Sequence, residues 1–175
     1  DVSNNTALTE FHCDSNQLTS LDVSNNTALT WLYCSSNELT TLNVSQNTAL
    51  TGLNCEDNQL TSLDLSNNIA LTRIHCNSND LTILNLKNGN NLNLLGAIIP
   101  NPPIPGTNQF GFRADDNPNL GCVIVDDSTY SENNWSELTG FYFDNQTYFS
   151  NNCSGATSIQ EHTKNKELLK VTDLL

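Results

Sequence analysis

The chain has 175 residues, enough for one ordinary domain or one short repeat array. Charged residues are 14% and hydrophobic ones 37%, both low for a globular protein, and the difference is made up by Asn, Thr and Ser. The formal charge of −13, from 6 Lys+Arg against 19 Asp+Glu, argues against a nucleic-acid partner and against docking on anionic lipid.

No apolar run approaches the roughly 18–20 residues that cross a bilayer, so direct membrane insertion is not expected. Methionine is absent, and no basic-then-apolar signal segment opens the chain. Asp1 to Thr6 already aligns with Asp22 to Thr27, inside a repeat. The chain is therefore read as part of a longer array.

Sliding the chain by 21 residues aligns it on itself. Cys13, Cys34, Cys55 and Cys76 fall in one column, and Asn16, Asn37, Asn58 and Asn79 in another. Leu18, Leu39, Leu60 and Leu81 form a third, Leu21, Leu42, Leu63 and Leu84 a fourth, and Val23, Val44, Leu65 and Leu86 a fifth. Leu8, Leu29, Leu50, Leu71 and Leu92 make a sixth, and Phe11, Leu32, Leu53, Ile74 and Leu95 a seventh. The unit L-x-x-L-x-C-x-x-N-x-L resembles the leucine-rich-repeat signature with Cys at one core position. Alternation in L-x-C predicts a short strand, and strands of successive turns pair in parallel. The Asn column is placed inward, where it satisfies backbone groups of the turns. The second half of each unit, such as Leu18-x-x-Leu21-x-Val23-x-x-Asn26, predicts another strand-like edge. Each 21-residue unit leaves little room for a helix.

Outward positions separate two faces. In the second half they are uniform: Asp22, Asn43, Asp64 and Asn85, then Ser24, Ser45, Ser66 and Lys87. In the first half they vary: Glu10, Trp31, Gly52 and Arg73; His12, Tyr33, Asn54 and His75; Asp14, Ser35, Glu56 and Asn77. Variation on an exposed sheet is where a binding face is written. His12, Trp31, Tyr33, Asn54, Arg73 and His75 are the expected ligand contacts. A planar aromatic offers a stacking surface to a sugar or apolar group, and Arg73 a fork to a carboxylate.

Register is lost after Leu95, with Ala97 in the Cys position and Pro100 in the Asn position. The expected organisation is repeats over 1–99, a Pro-rich loop over 100–111, a last irregular coil and cap over 112–153, and a linker with a terminal segment over 154–175. Cys122 to Val125 reads as a closing strand. Asp126 and Asp127 precede a short helical stretch through Tyr130 and Trp135. Phe141, Phe143, Tyr148 and Phe149 supply aromatic bulk. A bare first turn leaves Val2, Leu8 and Phe11 without cover, which invites end-to-end self-association.

The ladder cysteines stand on neighbouring strands about 4.8 Å apart with parallel Cβ vectors, a poor disulfide geometry. They are expected to be buried free thiols. One ligand per turn in a line makes no tetrahedral zinc site, and no metal is expected. Cys122 and Cys153 bracket the cap and are the natural pair, implying an oxidising compartment.

Residues 1–95 resemble the cysteine-ladder leucine-rich repeats of internalin J, with their Leu-Asp-Val-Ser-Asn-Asn-Thr phrases. Residues 112–153 resemble the C-terminal cap of secreted flavobacterial leucine-rich-repeat proteins, through Asn117-Pro118-x-Leu120-x-Cys122-x-x-Val125-Asp126-Asp127 and Thr147-x-Phe149-Ser150-x-x-Cys153. Lys166 to Leu175 is similar to the opening of a type IX secretion sorting domain. The resemblance implies a secreted or cell-surface location. The expected fold is a β-rich leucine-rich-repeat solenoid: a short right-handed coil of about four to five turns, a parallel sheet, few helices and a disulfide-closed C-terminal cap.

No nucleophile, zinc-protease or phosphate-loop motif occurs, and no cofactor is expected. His12 and His75 share a column three turns apart, too far to act on one atom. Asp115, Asp116, Asp126 and Asp127 are calcium candidates, but no EF-hand spacing surrounds them, and capping and solvation are the preferred reading. Glu10, Asp14 and Glu56 share a face, yet a glycosidase needs carboxylates in a cleft. The expected role is a non-enzymatic ligand-binding or adhesion module for a protein or carbohydrate. The alternatives are a structural spacer and a polysaccharide-processing accessory region.

Overall fold

The computed structural model describes residues 1–95, 111–136 and 139–153. The Pro-rich loop to residue 110, with Ala97 and Pro100, and the segment 154–175 lie outside the described residues.

Among the described residues ten short strands and one α-helix follow in chain order: β1 (Glu10–His12), β2 (Trp31–Tyr33), β3 (Gly52–Asn54), β4 (Ser62–Asp64), β5 (Arg73–His75), β6 (Ile83–Asn85), β7 (Phe112–Arg113), β8 (Cys122–Ile124), α1 (Ser128–Asn134), β9 (Phe141–Tyr142) and β10 (Tyr148–Ser150). A first sheet runs β1-β2-β3-β5-β7-β9 and a second β10-β8-β6-β4. Every pairing is parallel. From β3 onward the chain crosses from one sheet to the other and returns. Each strand is two or three residues long, as a 21-residue repeat with two strand segments leads one to expect.

Register carries the periodicity into the core. Phe11, Leu32, Leu53 and Ile74 lie partner to partner across the first sheet. Leu32, Leu53 and Ile74 are fully buried, as are Leu29, Leu50 and Leu71 and Leu39, Leu60 and Leu81 of two other columns. Each fully buried aliphatic side chain contributes roughly 1.5–3 kcal/mol.

The column continues differently from the sequence expectation. Ile74 pairs with Phe112, and Phe112 with Phe141. Leu95 is 44% exposed and Leu92 68%, so neither belongs to the core column assigned to it. After Asn88 the chain turns through Gly89 at φ 77° and a 3-10 turn at Asn91–Asn93. That turn buries Asn91 and Leu94 in place of Leu92. The Cys column passes from Cys76 to the fully buried Ala114.

The Asn column binds each coil to the one before it. Asn58 donates to the carbonyls of Cys34, Cys55 and Glu56, and its Oδ1 accepts from Leu39 N–H at 3.0 Å. Asn37 and Asn79 repeat the pattern. Asn117 repeats it across a separation of 36 residues instead of 19, donating to Cys76 O and accepting from Leu81 N–H. Asn16, in the first coil, is exposed and reaches only Cys13 O and Asp14 O. A second column, Asn26, Asn47 and Asn68, is fully buried and donates to carbonyls of the preceding coil. Buried carbonyls at the coil corners thus find donors without water.

Just before each first-column Asn the backbone turns left-handed, at Ser15, Ser36, Asp57, Ser78 and Asp116 (φ 52–55°). Short polar side chains tolerate this region better than bulky ones. Hydrogen bonds to the next coil, such as Ser36 N–H to Glu56 O, hold it.

The C-terminal portion adds strands to both sheets. β9 pairs with β7 and β10 with β8, so the aromatic cap residues extend the stack. Phe112, Trp135, Phe141, Phe143 and Phe149 pack together at ring separations of 4.9–6.4 Å. Asp127 caps α1, accepting from Tyr130 N–H at 3.0 Å. A disulfide joins Cys122, in β8, to Cys153, just past β10. At the opposite end Val2, Leu8, Phe11, Leu18 and Leu21 are only partly buried, and several of them line a hollow there.

Candidate functional site

The outer face of the first sheet presents alternate residues of each strand. Register places His12, Tyr33, Asn54, His75, Arg113 and Tyr142 in one row across it. Trp31, Gly52 and Arg73 form a second row beside it.

Three rings stack in this face. His12 and Tyr33 lie 4.2 Å apart at 12°, and Tyr33 and Trp31 5.6 Å apart at 11°. The Arg73 guanidinium sits 5.7 Å from the Trp31 ring centroid, a cation–π distance. Trp31 leans over Gly52, where a β-carbon would collide with the indole. Gly52 is buried beneath it. Glycine is needed at 52 for that close approach. Trp31 and Tyr33 are consequently half-buried, and the Tyr33 ring lies against His12 and Trp31. Burial and the Glu10 charge raise the Tyr33 phenol pKa, with Arg73 opposing.

His12 is exposed and meets two carboxylates, Nε2 to Glu10 at 2.9 Å and Nδ1 to Asp14 at 3.7 Å. The His75 side chain is 13% exposed, with Nδ1 3.9 Å from Glu56. Burial pushes its pKa below the ordinary value despite Glu56. His12 and His75 are three strands apart, about 14 Å. Asn54 is 9% exposed, and its Oδ1 accepts from Glu56 N–H in a local turn. Its carbonyl oxygen is committed to the scaffold.

Beyond the expected contacts, the face includes Arg113 and Tyr142. Arg113 pairs bidentately with Asp115 and lies 5.6 Å from the Tyr142 ring centroid. That pairing raises the guanidinium pKa. The signal was available: Phe112-x-Ala114-x-x-Asn117 repeats the L-x-C-x-x-N spacing with Ala for Cys.

The ladder thiols do not serve this face. Cys13, Cys34, Cys55 and Cys76 are unbonded to one another and buried. Burial drives every thiol up, Cys13 to about 11 and Cys76 to about 12. A protonated, enclosed thiol is a poor nucleophile or ligand.

Among the described residues no three of His, Cys, Asp or Glu are grouped to hold a metal ion. The calcium candidates have other work. Asp115 pairs with Arg113, Asp116 makes the left-handed turn, Asp126 accepts from Gly89 and Asn91 N–H, and Asp127 caps α1.

No family model matches the chain, and no curated protein matches it. Among solved structures it is similar to the functional domain of InlJ from Listeria monocytogenes, which includes a cysteine ladder. The identity is 29% and the TM-score 0.54, over 84% of this chain and 32% of that one. This chain thus spans about a third of the length of that solved chain. No helix among the described residues is long and apolar enough to cross a membrane. Parallel strands in two sheets, few helices and this neighbour establish a leucine-rich-repeat-like fold.

Proposed function

We propose that the chain is a non-enzymatic ligand-binding or adhesion module of a secreted or cell-surface protein, and that its ligand lies on the outer face of the first sheet. The carrying observation is the prebuilt stack His12–Tyr33–Trp31–Arg73 on that face. Half-buried aromatics held by neighbours lose little freedom on binding and make good anchors. The face varies from coil to coil while the row Asp22, Asn43, Asp64 and Asn85 and the row Ser24, Ser45 and Ser66 do not. In this reading the two-sheet coil is a solenoid with the variable sheet on its concave side. The repeats run to 99, and a cap occupies 112–153. The disulfide supports an oxidising location. A protein is the favoured ligand class, with carbohydrate second, and the neighbour's fold supports the first.

A surface-protein and glycan array, probed with the wild type and with Trp31→Ala/Tyr33→Ala, tests this reading. Loss of the hits in a variant that still melts cooperatively supports it. Retained hits, abolished instead by Asp22→Asn/Asp64→Asn in the uniform row, place the functional surface elsewhere. A chain with no hits in either format fits the spacer.

A further inference from the structure

Charge divides the proposed binding face. Residues 1–72 contain eight Asp or Glu and no Lys or Arg. The part built from β1, β2 and β3 therefore has Glu10, Asp14 and Glu56 on it and no permanent cation of its own. The nearest are Arg73, held over Trp31, and Arg113, paired with Asp115.

The three carboxylates nonetheless point at nitrogen. Glu10 and Asp14 converge on His12, and Glu56 faces His75. No Lys or Arg of residues 1–72 stands against these carboxylates, because that stretch contains none. Their side chains are 55%, 44% and 37% exposed, open to a partner yet beside an aromatic wall. Tyr33 and Trp31 form that wall, and Arg73 shows that a guanidinium rests on it.

We propose that the β1–β3 part of this face docks a cationic, extended segment of a partner protein, its basic side chains paired with Glu10, Asp14 and Glu56 and its stem laid along Tyr33 and Trp31. The proposal rests on the binding reading above and names the partner's chemistry. Asp14 and Glu56 stand two strand steps apart, about 10 Å. A polyproline-type segment returns a side chain to one side every third residue, about 9.3 Å on. Basic residues three apart match that interval, and a guanidinium suits both a carboxylate fork and an aromatic face.

The test titrates the intact chain with the peptide (Arg-Pro-Pro)3, followed by isothermal calorimetry and by amide shifts in a nitrogen-15-labelled sample. The expected result is binding that perturbs β1–β3, weakens at least tenfold in Glu10→Gln/Asp14→Asn/Glu56→Gln, and changes less than twofold in Asp22→Asn/Asp64→Asn. (Glu-Pro-Pro)3 should not bind. No binding of the arginine peptide, or equal losses in the two carboxylate variants, overturns the proposal, the latter because bulk charge alone is then responsible. If an array finds a neutral peptide or glycan bound through Trp31 while the arginine peptide fails, the cationic partner is wrong and the binding face stands. Ligand shifts confined to the second sheet overturn both.

Discussion

Trp31 occupies the space in which Gly52 has no side chain, and the indole roofs the backbone of the neighbouring strand. The pair fixes the shape of the outer face, because Tyr33, Trp31 and Arg73 are packed in series above it.

Gly52→Ala should therefore push the indole off the sheet without removing a ring or a charge. Overpacking of this kind costs about 1–3 kcal/mol. Urea unfolding should show that loss, and near-ultraviolet circular dichroism should lose the Tyr33–Trp31 signal. Unchanged stability and spectrum would mean that the indole does not rest on Gly52.

Removing the aromatics should not be silent either. The sequence alone places Trp31 and Tyr33 outward, where truncation leaves stability nearly unchanged. Their stacking predicts a loss of about 0.5–1.5 kcal/mol for each ring pair beyond area burial. A double-mutant cycle on His12→Ala and Tyr33→Ala measures the 4.2 Å pair directly.

Asn58→Ala strips three donated bonds and one accepted bond from buried backbone. The carbonyls of Cys34, Cys55 and Glu56 keep Asn37, Asn79 and Ser36 as donors, whereas buried Leu39 N–H loses its partner, so the variant should lose about 1–3 kcal/mol. Asn16→Ala, exposed in the first coil, should cost under about 1 kcal/mol. Equal losses in chemical denaturation would contradict the inward ladder.

Mass spectrometry of the denatured, unreduced chain should find four alkylatable thiols, with Cys122 and Cys153 protected. The folded thiols also set an alkaline limit. The unfolded chain ionises its cysteines from about 9, while burial holds Cys13 protonated to about 11 and Cys76 to about 12. Above pH 9 the unfolded state therefore binds fewer protons than the folded one. Stability contributed by these thiols is full below pH 9 and falls between 9 and 12. Melting temperature against pH, compared with a Cys76→Ala variant, checks the sign.

His75 acts in the opposite direction at acid pH. Its folded pKa is lowered by burial, so the unfolded chain takes up the proton first. Its stabilising contribution is present above about 6.5 and lost as pH falls below it. An imidazole titration by proton NMR should give a midpoint below 6.5, and Glu56→Gln should lower it further by removing the carboxylate beside Nδ1.

The 21-residue period by itself determined the parallel strands, the buried Leu and Cys columns and the inward Asn column. In the inner coils stacking puts the copies of a position at one depth, so an identical residue there is its own structural record. The helix cap at Asp127 was equally legible, because N-capping is a local contact. Across the break after Leu95, periodicity lost its hold. Phe112-x-Ala114-x-x-Asn117 keeps the local spacing of the unit, but the 21-residue period does not reach it, and only the return of the chain to the same sheet after a longer excursion puts Ala114 and Asn117 in the Cys and Asn columns. The binding face divided in the same way. Its rows were readable from alternation, whereas the burial of Asn54, the roofing of Gly52 and the ring stack were decided by tertiary structure. Those features depend on how a side chain leans across the 4.8 Å to the next strand, and that lean is set by the neighbour it meets.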